Sequence, residues 1–68
     1  MPKLFSSDHI IKVLKKNGFT FVSQKGSHEK YFNEETMEIV IVPANRKEIP
    51  FGTFKSILRQ SGLSREDF

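Results

Sequence analysis

The chain has 68 residues, which is enough for one small domain, residues 1–68, with a correspondingly small core. It contains no cysteine, which excludes disulfides and thiolate metal sites and favours a cytoplasmic location. The formal net charge of +3 suits a polyanionic partner without requiring one. No apolar stretch is long enough to cross a membrane, and the first residues lack the apolar run of a signal peptide, so no membrane association is expected.

The first predicted element is a helix that starts at Ser6-Ser7-Asp8, because serine and aspartate oxygens accept the free backbone N–H groups of a helix start. His9 falls in the first turn and is expected to face solvent. Apolar residues then recur with the spacing of one helical face, at Ile10, Val13 and Leu14. Asn17-Gly18 predicts the end, since glycine readily takes a left-handed backbone conformation.

Three strands are predicted over residues 19–24, 28–33 and 37–42. The first is rich in aromatic and β-branched residues, and a glycine-containing turn separates it from the second. The third is the most apolar segment and shows no alternation, because Ile39-Val40-Ile41-Val42 are consecutive. Either both faces of this strand are covered, or one face is an apolar surface for a partner.

A second helix is predicted after Pro50 and Gly52-Thr53, with a stop at Gly62. Its apolar stripe has helical spacing and consists of Phe54, Ile57 and Leu58. The order helix, three strands, helix predicts an α+β fold with an antiparallel three-stranded sheet. Both helices must bury their stripes against one face of the sheet, so the other face is left open for a nucleic acid or a protein.

The chemically densest stretch is Lys25-Gly26-Ser27-His28-Glu29-Lys30, at the turn before the second strand. Side chains alternate along a strand, so His28 and Lys30 share one face and Tyr31 lies on the other. If Tyr31 belongs to the core, the imidazole and the ammonium group stand together on the open face of the sheet.

An imidazole beside an ammonium group suits phosphodiester chemistry. Histidine titrates near neutral pH and can take a proton from an RNA 2′-hydroxyl. Lysine, the Ser27 hydroxyl and backbone N–H groups can stabilise the charge that develops around phosphorus. The alternative interpretation is that His28 is an ordinary surface histidine beside a Gly-Ser turn without catalytic function. Arg46 and Lys47, in the loop after the third strand, are either phosphate contacts or a solubilising pair. No metal-ligand spacing is present, so neither a metal nor a cofactor is expected.

The joint order of several short motifs closely resembles the HicA toxins, or YcfA-like proteins, of bacterial and archaeal toxin–antitoxin pairs. The matching landmarks cover nearly the whole chain. They are Gly18-Phe19, Gln24-Lys25-Gly26-Ser27-His28, Lys30-Tyr31, Val42-Pro43, Ile49-Pro50, Gly52-Thr53-Phe54, Ser56-Ile57-Leu58-Arg59-Gln60, Gly62-Leu63-Ser64 and Glu66-Asp67-Phe68.

The resemblance implies a fold like the double-stranded RNA-binding domain and a metal-independent endoribonuclease that cleaves mRNA, with His28 as its catalytic residue. It also implies a HicB-like antitoxin that blocks the site, which would account for a spare apolar face on strand 37–42. The free toxin is expected to be a monomer. The residues expected to contact RNA are Lys25, Gly26, Ser27, Lys30, Arg46 and Lys47.

Two positions depart from the family pattern. Glu29 stands where many HicA toxins carry a second histidine, and Asn45 stands where many carry a histidine in the loop after Val-Pro. The general acid is therefore open among His28, Lys30 and water. Two other functions also fit the residues: a non-catalytic module that recognises A-form RNA by shape, and a sheet that binds only a protein partner.

Overall fold

The computed structural model describes residues 3–68, so the first two residues of the predicted domain lie outside it. Its fold is α+β, in the predicted order of helix, antiparallel sheet and helix. Strand order follows chain order, which makes the second strand the centre of the sheet. The elements are α1 (Ser7–Lys16), β1 (Thr20–Lys25), β2 (His28–Asn33), β3 (Glu38–Pro43), α2 (Phe51–Ser61) and a short 3-10 helix (Arg65–Asp67).

Helix α1 begins and ends at the predicted capping residues. The Ser6 hydroxyl oxygen accepts the backbone N–H of His9 at 3.1 Å, and Asn17 is the C-terminal cap. Gly18 follows with a φ of 93°, a conformation that suits glycine. The predicted apolar stripe is buried, with Ile10 and Leu14 fully enclosed. Local capping chemistry and helical spacing thus account for this element.

Five element boundaries differ from the prediction, because β1 and β3 each begin and end one residue later than predicted and α2 begins earlier. Strand β1 starts at Thr20 because Phe19 is buried directly after the Gly18 turn, and β3 starts at Glu38 because Met37 has a φ of 61° and belongs to the turn. The prediction that Gly52-Thr53 precede α2 is wrong, because both lie inside the helix, whose N-terminal cap is Pro50. A glycine in the first turn does not stop a helix whose following apolar residues are buried.

The two faces of the sheet differ in environment. The face under the helices carries Tyr31, Val40 and Val42, all of which are buried. On the opposite face Ile39 is 49% exposed and Ile41 is only half-buried. One face of β3 is therefore covered and the other is open. The core between sheet and helices is completed by Ile10, Leu14, Phe19, Ile49, Phe54 and Ile57.

Neither helix within residues 3–68 has the length and hydropathy that a membrane crossing would require.

Candidate active site

His28 is the first residue of the central strand and is held from both sides. In the antiparallel register it stands opposite Lys25 of β1 and opposite Pro43 of β3. Gly26 closes the turn with a φ of 59°, a left-handed conformation for which glycine is suited. The Gln24 side-chain amide donates to the Gly26 carbonyl oxygen at 3.0 Å and braces the turn. The imidazole is thus placed at one end of the sheet by regular strand pairing.

The predicted alternation along β2 is confirmed. His28 and Lys30 are exposed on the open face, whereas Tyr31 is buried among the core residues. The Tyr31 hydroxyl donates to the Glu29 carboxylate at 2.7 Å. Burial, followed by the hydrogen bond and the negative charge of Glu29, raises the pKa of Tyr31 far above its ordinary value. Glu29 is thereby engaged on the helix side of the sheet, away from His28.

A groove of about 490 Å³ opens on the exposed face beside the hairpin, and we call it the hairpin groove. This volume lies within the usual range of small-molecule sites, about 300–1,000 Å³. Imidazole and ammonium groups share the groove with an apolar wall. Its lining residues are Ser23, Lys25, Gly26, His28, Lys30 and Ile41. The structure therefore brings together four of the residues singled out from the sequence.

Two lining residues were missed by sequence reasoning, Ser23 and Ile41. Both are opposite Lys30, one on each neighbouring strand. The register of β1 shifts between Phe21 and Ser23, so simple alternation along that strand does not give the face of Ser23. For Ile41, the pairing of β2 with β3 was the only signal that could have placed it beside Lys30.

The loop after β3 is fastened to the hairpin and to α1. The backbone N–H of Ala44 donates to the Ser27 carbonyl at 2.6 Å. Ser7 is fully buried, and its hydroxyl donates to the Pro43 carbonyl at 2.5 Å and accepts the Arg46 backbone N–H at 2.9 Å. Ser7, the first residue of α1 after the Ser6 cap, therefore positions the loop that carries the second pair of cations.

Arg46 and Lys47 are exposed, but neither lines the hairpin groove. Lys47 lines a separate groove of about 300 Å³ around the start of α1, together with Lys3 and His9. Asn45, directly before these cations, has a φ of 58°. The structure thus divides the predicted RNA-binding residues between the hairpin groove and a second basic region.

His9, which was expected to face solvent, is half-buried instead. Its ring stacks on Phe5 with centroids 4.8 Å apart, and its Nε2 lies 2.7 Å from the carbonyl oxygen of Phe68. These contacts join the start of α1 to the end of the chain. They depend on the chain folding back over 59 residues, which local helical spacing does not reveal.

Within residues 3–68, no three histidine or carboxylate side chains come close enough to hold a metal ion. The hairpin groove instead offers an imidazole that can accept a proton, two ammonium groups that can neutralise an anion, and an apolar wall. These groups are suited to binding a phosphodiester and to acid–base chemistry on it.

A comparison with families of known proteins found a match to the HicA toxin of bacterial toxin–antitoxin systems over residues 7–63. The matched region contains both helices and all three strands, and so every element that positions the hairpin groove. A comparison with curated proteins found no match. Because the family match covers well over half of the 68 residues, the chain belongs to the HicA toxin family of bacterial toxin–antitoxin systems.

Proposed function

We propose that this toxin is a metal-independent endoribonuclease that cleaves mRNA, with His28 as its general base. The observation that carries the proposal is the placement of His28 and Lys30 side by side on the open sheet face, in a groove of ligand size. Imidazole is the side chain best suited to accept a proton at neutral pH, and on this face it is accessible to a substrate.

The proposed reaction is an in-line attack of an RNA 2′-hydroxyl on the adjacent phosphorus. His28 removes the hydroxyl proton, the new P–O bond forms, and the bond to the 5′-oxygen of the next nucleotide breaks. The products are a 2′,3′-cyclic phosphate and a 5′-hydroxyl. Lys25 and Lys30, which line the groove, neutralise the charge that builds up on the phosphate oxygens.

The leaving 5′-oxygen also needs a proton. In-line geometry puts this oxygen on the opposite side of phosphorus from the attacking hydroxyl, so a single imidazole does not reach both at once. Glu29 is bonded to Tyr31 on the helix side of the sheet. Lys30 is the next side chain on the face of His28, and we assign it the role of general acid, with water as the alternative donor.

Arg46 and Lys47 are assigned a supporting role in RNA binding. They are exposed on the loop that is hydrogen-bonded to Ser27, but they lie outside the hairpin groove. A polynucleotide is long enough to occupy the groove and extend to this loop. Their charges would hold flanking phosphates, while Gly26 and Ser27 present backbone groups at the turn.

The expected protein partner is a HicB-like antitoxin, and we propose that it binds over the open sheet face. The exposed apolar side chain of Ile39 supports this placement, because it lies on the same sheet face as His28 and Lys30, and an antitoxin that extends along this face would cover all three. Antitoxin binding would then exclude RNA by occupying the same surface.

The function is tested by expressing the toxin alone in a bacterial host. The unmodified protein is expected to arrest growth, whereas His28→Ala is expected to permit growth because the base is absent. Lys12→Ala, which removes an exposed charge from α1, is the control and should remain toxic. Equal growth arrest by the His28→Ala variant at equal protein level would exclude His28 from the toxic mechanism.

A non-catalytic RNA-binding module is the second candidate, favoured by the single imidazole among the residues that line the groove. Such a protein would bind RNA in a salt-sensitive manner and leave it intact. In this case His28→Ala would change the affinity for RNA, and no new RNA ends would form with either protein.

A further inference from the structure

The open sheet face continues beyond the hairpin groove as an apolar surface, which we call the apolar ledge and define as Phe32, Ile39 and Ile41. Register places these residues together: Phe32 is opposite Ile39, and Lys30 is opposite Ile41. Directly opposed side chains on one sheet face stand about 5 Å apart. The ledge therefore begins at the wall of the hairpin groove and runs along β2 and β3 away from His28.

The core does not require the ledge. Ile39 is 49% exposed, and Phe32 and Ile41 are only half-buried. Val40 and Val42, the alternate residues of β3, already fill the covered face. The solvated face of an antiparallel sheet is ordinarily polar. Apolar side chains at these positions therefore indicate a surface that a ligand covers.

The backbone beneath the ledge is hydrogen-bonded on both sides of β3. Ile41 is held on the inner side by the pairing of β3 with β2, and its backbone N–H donates outward to the Gln60 side chain of α2 at 3.0 Å. A ligand that enters the hairpin groove touches Ile41 directly, because this residue lines the groove with His28 and Lys30.

The positive charge of the hairpin groove and the apolar surface of the ledge together indicate which class of ligand fits. Lys25 and Lys30 attract an anion, and the adjoining ledge accepts a flat apolar face. A nucleotide with an unpaired base combines both, because its phosphate is charged and its base stacks on aromatic and apolar side chains. Bases paired in a duplex present only their edges in the grooves and keep their faces stacked within the helix, so they cannot lie on the ledge.

We infer that the apolar ledge binds an unpaired nucleobase of the RNA while the hairpin groove holds the neighbouring phosphate. This inference rests on the proposed function and identifies its substrate as single-stranded RNA. The ledge offers no hydrogen-bonding side chain, so it positions a base without strong preference for its identity. Duplex RNA binds without using the ledge.

The inference is tested by comparing two RNA strands that cannot be cleaved because their 2′-hydroxyls are methylated. One strand carries normal bases, and the other has abasic nucleotides at its centre. Removing the part of the ledge that lies outside the hairpin groove with Phe32→Thr and Ile39→Thr together, which places β-branched residues in the two strands, is expected to weaken binding of the normal strand about tenfold. Binding of the abasic strand should not change.

Two controls frame this comparison. Phe51→Ser removes a 40% exposed apolar side chain at the start of α2 and should not affect either strand. Lys30→Ala removes charge from the groove and should weaken both strands. The thermal unfolding temperature of each variant, compared with that of the unmodified protein, tests whether the fold is intact.

Equal weakening of both strands by the ledge variant would overturn the inference, as would unchanged binding of both. In the latter case the ledge serves a protein partner. An unmodified toxin that binds RNA without ever cutting a cleavable strand would contradict the proposed function alone. An unmodified toxin that binds no RNA would contradict both.

Discussion

His28 and Lys30 share one face of β2, and Glu29 between them turns to the helix side and accepts the Tyr31 hydroxyl at 2.7 Å. At the scale of single residues, the alternation of side chains along β2 thus separates functional groups from structural ones. One face carries the groups that we propose act on RNA, and the other carries a hydrogen bond that belongs to the core. The position directly after His28, where a second histidine is common in HicA toxins, serves stability here.

The assignment of Lys30 as general acid predicts a substrate-dependent defect. Lys30→Ala is expected to slow cleavage of ordinary RNA by about 10²- to 10⁴-fold, the usual contribution of a positioned acid. RNA with sulfur in place of the leaving 5′-oxygen needs no proton on its leaving group, so the variant should slow cleavage of this strand only by the smaller factor that comes from the lost positive charge. Single-turnover rates on both strands provide the measurement.

Lys25→Ala is the matched control, because Lys25 lines the same groove and neutralises charge without donating the proton. It should slow cleavage of both strands alike. If Lys30→Ala also slows both strands by the same factor, Lys30 acts by charge and water supplies the proton.

The raised pKa of Tyr31 predicts that the folded protein loses stability at alkaline pH. Because the pKa of Tyr31 is raised in the folded protein, the unfolded state loses this proton first as pH rises through about 10. The free energy of unfolding should therefore fall with increasing pH above about 10. Tyr31→Phe should reduce this slope and cost about 1 kcal/mol at neutral pH, because Glu29 loses a partner. Denaturant unfolding across pH measures both effects, and an unchanged alkaline slope in Tyr31→Phe would contradict this account.

At the scale of the elements, Gly52 and Gly62 have different roles in α2, one inside the helix and one at its C-terminal cap. Substituting each by alanine therefore gives a test and its control. Gly62 ends the helix with a φ of 72°, and an added Cβ would lie 2.7 Å from a carboxylate oxygen of Glu38. Gly62→Ala should lower the free energy of unfolding by about 1–2 kcal/mol, mainly from the left-handed backbone, because the Glu38 side chain can move aside. Denaturant unfolding measures the difference.

Gly52→Ala is the control, since Gly52 lies inside the helix and an added Cβ meets no atom within 4 Å. This change should raise the free energy of unfolding by about 0.5 kcal/mol, because alanine favours the helix and restricts the unfolded chain. Equal effects of the two substitutions would show that backbone conformation at Gly62 does not limit stability.

Elements and faces could be predicted from the sequence wherever the signal is local. The period of β2 placed His28 and Tyr31 on opposite faces, and Ser6 and Gly18 marked the ends of α1. These features depend on neighbours within one turn or one strand. The family resemblance, rather than spacing, singled out His28 among ordinary surface histidines.

Features that depend on distant contacts could not be predicted. The bond of Ser7 to Pro43 spans 36 residues, and the contact of His9 with Phe68 spans 59. The place of Ile41 in the hairpin groove follows from strand register, which a sequence of consecutive apolar residues leaves undetermined. Arg46 and Lys47 could be recognised as a basic pair, but their distance from the groove required the folded loop.

At the scale of the whole molecule, the basic side chains that we propose contact RNA lie in two regions, the hairpin groove and the loop with Arg46 and Lys47. Removing both loop cations should reduce the steepness of the salt dependence of RNA binding. For single strands the slope of log K against log salt becomes shallower by about 0.7 for each phosphate that the protein no longer neutralises. The position at which the RNA is cleaved should not change, because these substitutions do not alter the hairpin groove. Binding titrations over a range of salt measure the slope.

Lys12→Ala combined with Lys16→Ala is the control for net charge, because it removes two exposed cations from α1. It should leave the slope nearly unchanged. If both pairs reduce the slope equally, the loop cations act through overall charge and do not contact phosphates.

The most direct measurement of the central claim is cleavage of a defined single-stranded RNA by purified toxin, with a chelator present. The unmodified protein is expected to produce 2′,3′-cyclic phosphate and 5′-hydroxyl ends, and to leave a strand with 2′-deoxy sugars intact. His28→Ala should bind the RNA with similar affinity and cleave it about 10²- to 10⁴-fold more slowly. Cleavage by His28→Ala at the unmodified rate, or cleavage of the 2′-deoxy strand, would contradict His28 as the base that activates the 2′-hydroxyl.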